Sequence, residues 1–341
     1  MTTDELFMQR ALELAMLGVG NVSPNPRVGC VIVHNNKIIG EGWHKKYGEA
    51  HAEVNAINSV EDKSLLKEST VYVNLEPCSH FGKTPPCADL LIEHQVKKVI
   101  VANVDSNPLV GGNGIKKLKE AGIEIAIGVL EQEARELNKR FFTSIEKQRP
   151  YIILKWAQTS DGFIAQKNYE SKWISNELSR QLVHQWRSEE DAILVGTKTA
   201  SHDNPSLTVR DWSGRNPTRI VIDRFLRLNS HLHLFNKKVK TICYNVLKHE
   251  EHNDLLFVRL DEHNFINALM NDLVKQKIQS IIIEGGAQTL QTFIDAKLWD
   301  EVRVFTSQRT FGEGISAPTF HGQFFSERMI DDNRLEIFYR N

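Results

Sequence analysis

The chain has 341 residues, of which 41% are hydrophobic and 25% are charged. This length favours two domains over a single hydrophobic core. The 42 Lys and Arg residues balance the 43 Asp and Glu residues to a net charge of -1, which argues against a broad basic surface for nucleic acid.

The N-terminal segment is predicted to be a helix, because Thr2 and Glu5 can form a capping box ahead of an apolar face. Its early acidic residues do not fit a signal peptide, and no stretch approaches the roughly 20 apolar residues of a membrane span. The chain has 4 cysteines, too few for a disulfide framework once two of them bind a metal. We therefore expect a cytoplasmic protein without membrane contact.

Strand-like and helical patterns alternate through the first half of the chain. The predicted strands cover residues 28–33, 37–43, 70–75, 97–102 and 123–127. Helices are predicted from about residue 51 and over residues 87–93, 114–121 and 130–147. This order indicates a three-layer α/β domain. Because proline disfavours helix, Pro150 ends this domain, and the predicted domains are residues 1–148 and 149–341.

Two motifs in the first domain carry metal chemistry. His51 and Glu53 stand at the start of a predicted helix, and Cys78 and Cys87 follow a predicted strand. One imidazole and two thiolates suit a tetrahedral zinc with one position left for water, although such ligands bind several divalent ions. H-x-E followed by P-C-x-x-C is the signature of zinc deaminases, but eight residues separate the two cysteines here. The motifs predict a catalytic zinc site with Glu53 as proton carrier.

The second half repeats the alternation without a metal motif. Strands are predicted at residues 151–157, 191–196, 219–223, 240–244, 280–284 and 301–306, with helices at 176–189, 265–276 and 287–296. Glu284, Gly285 and Gly286 end one strand before a helix, where glycines let backbone amides approach a phosphate, although a plain tight turn has the same pattern. The side chains of Arg187 and Arg210 could bind a phosphate. Arginines on a protein surface are usually solvated, however, so the sequence leaves both interpretations open.

Taken together, these stretches resemble the bifunctional deaminase/reductase family of riboflavin biosynthesis over essentially the whole chain. The marks in the first domain are Ser23-Pro24-Asn25-Pro26-x-Val28-Gly29, Gly42-x-His44, His51-Ala52-Glu53, Pro77-Cys78-Ser79-His80-x-Gly82-Lys83-Thr84-Pro85-Pro86-Cys87 and Asn107-Pro108-x-Val110-x-Gly112-x-Gly114. The long segment between the cysteines is itself a mark of this family.

The resemblance implies a cytidine-deaminase-like first domain that acts on a diaminopyrimidinone with a phosphoribosylamino group and yields an aminouracil. His51, Cys78 and Cys87 would bind Zn2+, and Glu53 would carry the proton to the departing ammonia. Lone polar residues that would line the substrate pocket are Asn25, His44 and His80. The partner would thus be a small phosphorylated pyrimidine, with no nucleic acid and no membrane. We also expect a homo-oligomer.

The resemblance also implies a dihydrofolate-reductase-like second domain that uses NADPH to reduce the ribosyl group to a ribityl chain. The residues that would contact the dinucleotide are Ala157, Trp173, Thr199, Asp203, Gly286, Ala287, Gln288 and Thr289. Those that would contact the substrate are Ser171, Arg187, Leu207, Arg210 and Glu284. Taken by itself, Trp173 could instead be a core residue. The chain departs from the family at Thr159-Ser160 and at Ser106, which leaves local contacts there open.

Three alternatives stay open at this point. A deaminase of transfer RNA would use the same zinc chemistry, but it predicts a basic surface and short cysteine spacing. A structural zinc site would need a fourth protein ligand, for which His80 is a candidate. The second domain could also be an inactive relic, although the joint presence of Arg187, Asp203, Arg210 and Glu284 argues against this.

Overall fold

The computed structural model describes residues 1–81, 85–107, 111–169 and 174–340 of the chain. The chain divides into two units, Met1–Gln148 and Arg149–Asn341. In the described ranges, no helix is both long enough and apolar enough to cross a membrane.

The first unit begins with the predicted capping box, in which Thr2 Oγ1 accepts from Glu5 N and Glu5 Oε2 accepts from Thr2 N. The described helices of this unit are α1 (Thr3–Met16), α2 (Ala52–Ser59), α3 (Cys87–Glu93), α4 (Asn113–Glu120), α5 (Glu131–Leu137) and α6 (Lys139–Glu146). The strands are β1 (Gly29–His34), β2 (Lys37–Trp43), β3 (Thr70–Leu75), β4 (Lys98–Asn103) and β5 (Glu124–Ile127).

A five-stranded sheet of order β2-β1-β3-β4-β5 forms the middle layer of this unit. Strand β1 runs antiparallel to β2 and β3, whereas β3, β4 and β5 are parallel. Leu12 and Ala134, from α1 and α5, pack on one face of the sheet. Ala56, Leu91 and Leu118, from α2, α3 and α4, pack on the other. The prediction of a three-layer α/β domain is confirmed.

The second unit is built on a larger sheet. Its described helices are α7 (Glu177–Glu189), α8 (Thr197–Asp203), α9 (Phe265–Lys275) and α10 (Ala287–Asp295). Its strands are β6 (Tyr151–Gln158), β7 (Phe163–Ala165), β8 (Ala192–Gly196), β9 (Thr218–Ile222), β10 (Thr241–Asn245), β11 (Glu250–His252), β12 (Leu255–Arg259), β13 (Ser280–Ile283), β14 (Glu301–Thr306), β15 (Ile315–Ser316), β16 (Gln323–Ile330) and β17 (Asn333–Tyr339).

Ten of these strands form one sheet of order β11-β12-β10-β9-β8-β13-β6-β14-β17-β16. Every pairing from β12 through β14 is parallel, and antiparallel strands close both edges. Leu269 and Phe293 of α9 and α10 are buried on one face, and Trp186 of α7 is buried on the other. In such sheets, ligands bind at the carboxyl ends of the parallel strands.

The prediction of one helix over residues 130–147 was wrong. Helix α5 ends at Leu137, and α6 begins at Lys139. Between them, the buried Asn138 turns its amide to the Arg27 backbone, accepting from Arg27 N at 2.8 Å and donating to Arg27 O at 2.9 Å. A long-range side-chain contact therefore breaks a segment whose local pattern is helical throughout.

Candidate active sites

Three metal-binding side chains meet at the end of β3 and the starts of α2 and α3. His51 is the N-cap residue of α2, and Cys87 is the first residue of α3. The Nδ1 atom of His51 lies 3.6 Å from Cys78 Sγ and 3.3 Å from Cys87 Sγ. The ligand atoms of all three residues lie within 4.8 Å of one another.

This donor set fits a zinc ion. Ligand atoms about 2.0–2.3 Å from a tetrahedral zinc lie roughly 3.6 Å apart, close to the separations between His51 and the two thiols. A hydrogen bond from Cys87, followed by one from His51, lowers the pKa of Cys78, which favours the thiolate that binds metal. His80 is exposed and lies outside the group of ligand atoms. Among the residues that the structure describes, this group holds no fourth protein ligand of the kind that a structural site would need.

Glu53 lies beside the metal ligands, in the first turn of α2. Its side chain is 3% exposed and hydrogen-bonds with Cys87. Burial, followed by the charge of Cys78, raises the pKa of Glu53 to about 7. A carboxyl group with a pKa near neutrality can both accept and return a proton, which is the requirement for general acid–base catalysis.

Gly42 lets α2 approach β2 closely enough to place Glu53. A Cβ atom at this position would lie 2.2 Å from Ala56 N and 2.5 Å from Ala52 O. Because both contacts are with helix backbone, we expect Gly42→Ala to push α2 away and to cost about 1–3 kcal/mol of stability. Ammonia release should fall while reduction assayed in the same sample is unchanged. Equal losses of both activities would contradict this prediction.

His44 is buried next to His51, with a distance of 5.4 Å between the two ring centroids. Burial lowers its pKa, so the ring is neutral. His44 Nδ1 donates to Ala50 O at 3.1 Å, which leaves Nε2 to accept from Asn25 Nδ2 at 3.2 Å. Asn25 and His44 are therefore brought to the metal ligands. The hydrogen bond to His44 Nε2 also orients the side-chain amide of Asn25, because the amide nitrogen must point toward His44.

Glu76 is a residue that the sequence analysis missed. Its buried carboxylate accepts backbone N–H groups from Asp105 and Gly112 on Oε2 and from Gly114 and Ile115 on Oε1, at 2.8–3.2 Å. These bonds tie the start of α4 to the segment that leads directly into Cys78. Its position just before Pro77-Cys78 was the only sequence signal available.

The second unit contains a cavity of about 1210 Å³ at the carboxyl ends of β6, β8, β9 and β13. The predicted contacts that line it are Ala157, Thr199, Asp203, Arg210, Glu284, Gly286, Ala287, Gln288 and Thr289. Residues from four separate segments of the sequence are thus brought to one cavity. Ser171 and Trp173, which were also predicted, lie outside the described residues.

Glycine is required where the turn after β13 passes the end of β8. A Cβ atom on Gly196 would lie 2.2 Å from Thr289 Oγ1, and one on Gly285 would lie 2.5 Å from Gly196 N. Gly286 has a φ of 53°, a backbone conformation that favours glycine. The close approach sets the first turn of α10 against the cavity, where its backbone N–H groups can meet a phosphate.

A buried ion pair joins Glu284, which lines this cavity, to Arg187, which does not line it itself. Arg187 Nη2 lies 2.7 Å from Glu284 Oε2, with only 12% and 11% of the two side chains exposed. Burial alone would raise the pKa of Glu284, but the charges of Arg187 and Lys155 outweigh it and lower the pKa to about 2. Lys155 lines the cavity on the same side and was not predicted from the sequence.

His184, also missed, holds the segment that carries Arg210. The imidazole is buried on α7, and its Nδ1 accepts from Arg210 N at 3.2 Å. Its Nε2 faces Asp211 Oδ2 at 3.3 Å. Burial, followed by the charges of Arg187 and Arg210, lowers the pKa of His184 and keeps the ring neutral, as this acceptor role requires.

Leu207, in contrast, turns its side chain into the core beneath the cavity and is 2% exposed. It is not among the residues that line the cavity, so any contact with a ligand would come from its backbone.

Comparisons with known proteins assign both units. Residues 1–103 match the family model "Cytidine and deoxycytidylate deaminase zinc-binding region", and residues 150–338 match "RibD C-terminal domain". The chain is 42% identical over 319 residues to the riboflavin biosynthesis protein RibD of Aquifex aeolicus, covering 92% of this chain and 89% of that one. It is 37% identical over 341 residues to RibD of Escherichia coli, covering 91% and 89%.

Solved structures agree over nearly the full length. A diaminohydroxyphosphoribosylaminopyrimidine deaminase/5-amino-6-(5-phosphoribosylamino)uracil reductase from Thermotoga maritima superposes with a TM-score of 0.91 at 36% identity, covering 99% of each chain. RibD of Acinetobacter baumannii gives a TM-score of 0.91 at 32% identity, again covering 99% of each chain.

These matches join a zinc-binding deaminase region to a reductase domain of a family that uses NADPH. The resemblance drawn from the sequence motifs is therefore confirmed. The chain belongs to the RibD family of riboflavin biosynthesis, whose members are both deaminases and reductases.

Proposed function

We propose that the first unit deaminates 2,5-diamino-6-(5-phosphoribosylamino)pyrimidin-4-one and that the second unit reduces the ribosyl group of the resulting aminouracil with NADPH. The observation that carries this proposal is the meeting of His51, Cys78 and Cys87 with the buried Glu53. The substrates named for the Thermotoga maritima structure, which matches over the whole chain, support the same assignment.

In the deaminase unit, residues 1–148, we assign His51, Cys78 and Cys87 as the zinc ligands. Zinc, when bound there, acts as a Lewis acid that makes water nucleophilic near neutral pH. Glu53 takes a proton from the attacking water and returns it to the amine that leaves as ammonia. Asn25 and His44 bind the pyrimidine beside it, and His80, exposed in the segment after Cys78, lines the same pocket.

In the reductase unit, residues 149–341, we assign the glycine turn and Thr199, Asp203 and Ala157 to the dinucleotide. NADPH, when bound, supplies the hydride that converts the ribosyl group to a ribityl chain. Arg187 and Arg210 bind the substrate phosphate. From the family resemblance, we also assign Ser171, Leu207 and Glu284 to the substrate. On the same basis we assign Trp173 to the dinucleotide.

We further infer a cytoplasmic homo-oligomer. All four cysteines are free, which suits a reducing compartment. Phe324, Phe325 and Met329 are each more than half exposed on β16, an edge strand of the large sheet. Exposed apolar side chains on an unpaired edge favour association with a second copy.

Incubating the purified, zinc-loaded protein with the diaminopyrimidinone tests the proposal directly. Ammonia should appear without NADPH, and loss of NADPH absorbance should follow only when both the substrate and NADPH are present. Chelation of the metal should stop ammonia release, whereas direct addition of the aminouracil should restore NADPH oxidation. Ammonia release without any NADPH oxidation would refute the reductase assignment and favour an inactive second unit.

A further inference from the structure

Two arginines line the cavity at the end remote from Glu284. Arg224 and Arg227 follow β9 directly, and both side chains lie at the cavity. Within the described part of the chain, neither guanidinium has a carboxylate at ion-pair distance. Two positive charges without a protein anion, at the wall of a nucleotide-sized cavity, indicate a site for an anionic group of the ligand.

Both guanidinium groups are stacked on aromatic rings. Arg224 Cζ lies 4.5 Å from the ring centroid of Phe265, itself a buried residue at the cavity. Arg227 Cζ lies 5.0 Å from the ring centroid of Phe225. Stacking restricts the plane of a guanidinium and leaves its N–H donors at the edges, where a phosphate can accept two of them at once.

The strand order places this pair at one end of an extended ligand. From β9 the sheet continues through β8 to β13, which ends in the glycine turn, and then to β6, which carries Lys155. With strands about 4.8 Å apart, β9 lies roughly 10 Å from the glycine turn, on the side away from Lys155. A dinucleotide with its pyrophosphate at the glycine turn and its reactive ring toward Glu284 therefore extends its adenosine toward β9.

The acidic residue nearby does not compete for this position. Asp223 is 2% exposed, and its Oδ2 accepts from Leu228 N at 2.9 Å within its own turn. In dinucleotide sites, a carboxylate available to the ribose 2′-hydroxyl selects the unphosphorylated cofactor, whereas a nearby arginine accommodates a 2′-phosphate. Asp223 also lines the cavity, but it is almost fully buried and one of its oxygens is bonded within its own turn, whereas the two arginines line the cavity as cations.

We propose that Arg224 and Arg227 bind the 2′-phosphate of the adenosine ribose and so select NADPH over NADH. This inference rests on the proposed reductase function, because it assumes that the cavity holds the cofactor. NADPH and NADH have the same pyrophosphate, so residues that bind the pyrophosphate, such as those of the glycine turn and Thr199, cannot distinguish the two cofactors. The inference assigns that distinction to Arg224 and Arg227.

Calorimetric titration of the full-length protein tests this assignment with five ligands: NADPH, NADH, 2′,5′-ADP, 5′-ADP and the phosphorylated aminouracil. The variants are Arg224→Ala, Arg227→Ala, the double variant and the charge-retaining Arg224→Lys. Arg328→Ala, at an exposed arginine on β16, is the matched control. Melting temperatures close to that of the unaltered protein would show that each variant is folded.

We expect the double variant to bind NADPH about tenfold to a hundredfold more weakly, while its affinity for NADH changes less than about twofold. Binding of 2′,5′-ADP should weaken in parallel, and Arg224→Lys should retain part of it. Equal losses for NADPH and NADH, or no loss for either, would overturn the proposal. If the variants instead lost affinity for the phosphorylated aminouracil, the arginines would belong to the substrate phosphate. If the unaltered protein bound neither nucleotide, the reductase function itself would fail.

Discussion

Replacing Glu53 with glutamine is expected to remove nearly all ammonia release while the protein remains folded and keeps its metal. Glutamine preserves the size of the side chain and can still accept a hydrogen bond, but it cannot take up a proton. Proton transfer by a positioned side chain contributes about 10²–10⁴-fold to a rate, so turnover should fall by roughly that factor. Because Glu53 is 3% exposed in the first turn of α2, no solvent-facing carboxylate can replace it easily.

Three measurements separate this role from a structural one. Metal analysis should find the same zinc content in Glu53→Gln as in the unaltered protein, since the ligands are His51, Cys78 and Cys87. Reduction of added aminouracil should proceed at the normal rate in the second unit. Glu61→Gln, at an exposed carboxylate just after α2, should leave both activities unchanged. A Glu53→Gln variant that deaminates normally would remove Glu53 from the mechanism.

The motifs indicated the candidate zinc ligands that lie together in the structure, because zinc chemistry depends on few residue types. Imidazole and thiolate side chains at the starts of helices and the end of a strand suffice to indicate zinc. What the motifs could not show is how the pocket is held. The contact between Asn25 and His44 and the four backbone donors on Glu76 join segments far apart in sequence. Such bonds exist only once the sheet has formed.

The reductase cavity was predictable only in part. The glycine turn follows a clear buried strand, and the structure places it at the cavity as expected. Lys155 could not be recognised, because a lysine in a strand such as β6 has no local signal until its neighbours across the sheet are known. Arg224 and Arg227 were missed for a related reason, since a charged turn after a strand is usually solvated.

The errors in the predicted elements have the same origin. The break at Asn138 depends on the Arg27 backbone, which lies in a different part of the sequence. The hairpin of β16 and β17 was not predicted, because β16 is exposed along most of its length and lacks the alternation of a half-buried strand. Its pairing with β17, which in turn pairs with β14, supplies the missing constraint.

Replacing Arg187 with methionine is expected to have the largest effect in the second unit. The change leaves the carboxylate of Glu284 buried without its ion-pair partner. Arg187 and Lys155 are the two cations that lower the pKa of Glu284 most, and only Lys155 would remain. Breaking one side of a buried ion pair costs about 3–5 kcal/mol, so the second unit should become markedly less stable and reduction should be lost. Trp156, Trp186 and Trp299 are buried in this unit, so tryptophan fluorescence can follow its unfolding in urea.

A double-mutant comparison identifies the cause. If the loss comes from an uncompensated charge, Arg187→Met combined with Glu284→Gln should be more stable than Arg187→Met alone. Lys167→Met is the control for an exposed ion pair, with Glu313 2.5 Å away, and should cost no more than about 1 kcal/mol. A double variant no more stable than the single one would mean that Arg187 stabilises the unit by packing rather than by charge.

The pH dependence gives an independent test with a defined sign. Glu284 has a pKa lowered to about 2 in the folded protein, against an ordinary value of 4.5. Its ionised form therefore adds stability that is complete above pH 4.5 and is lost as the pH falls toward 2. In Arg187→Met the pKa of Glu284 should rise, because its main positive neighbour is gone. The stability difference between the two proteins should thus be largest above the raised pKa of Glu284 in Arg187→Met and should narrow as the pH falls from there toward 2. A packing defect would instead give a difference independent of pH.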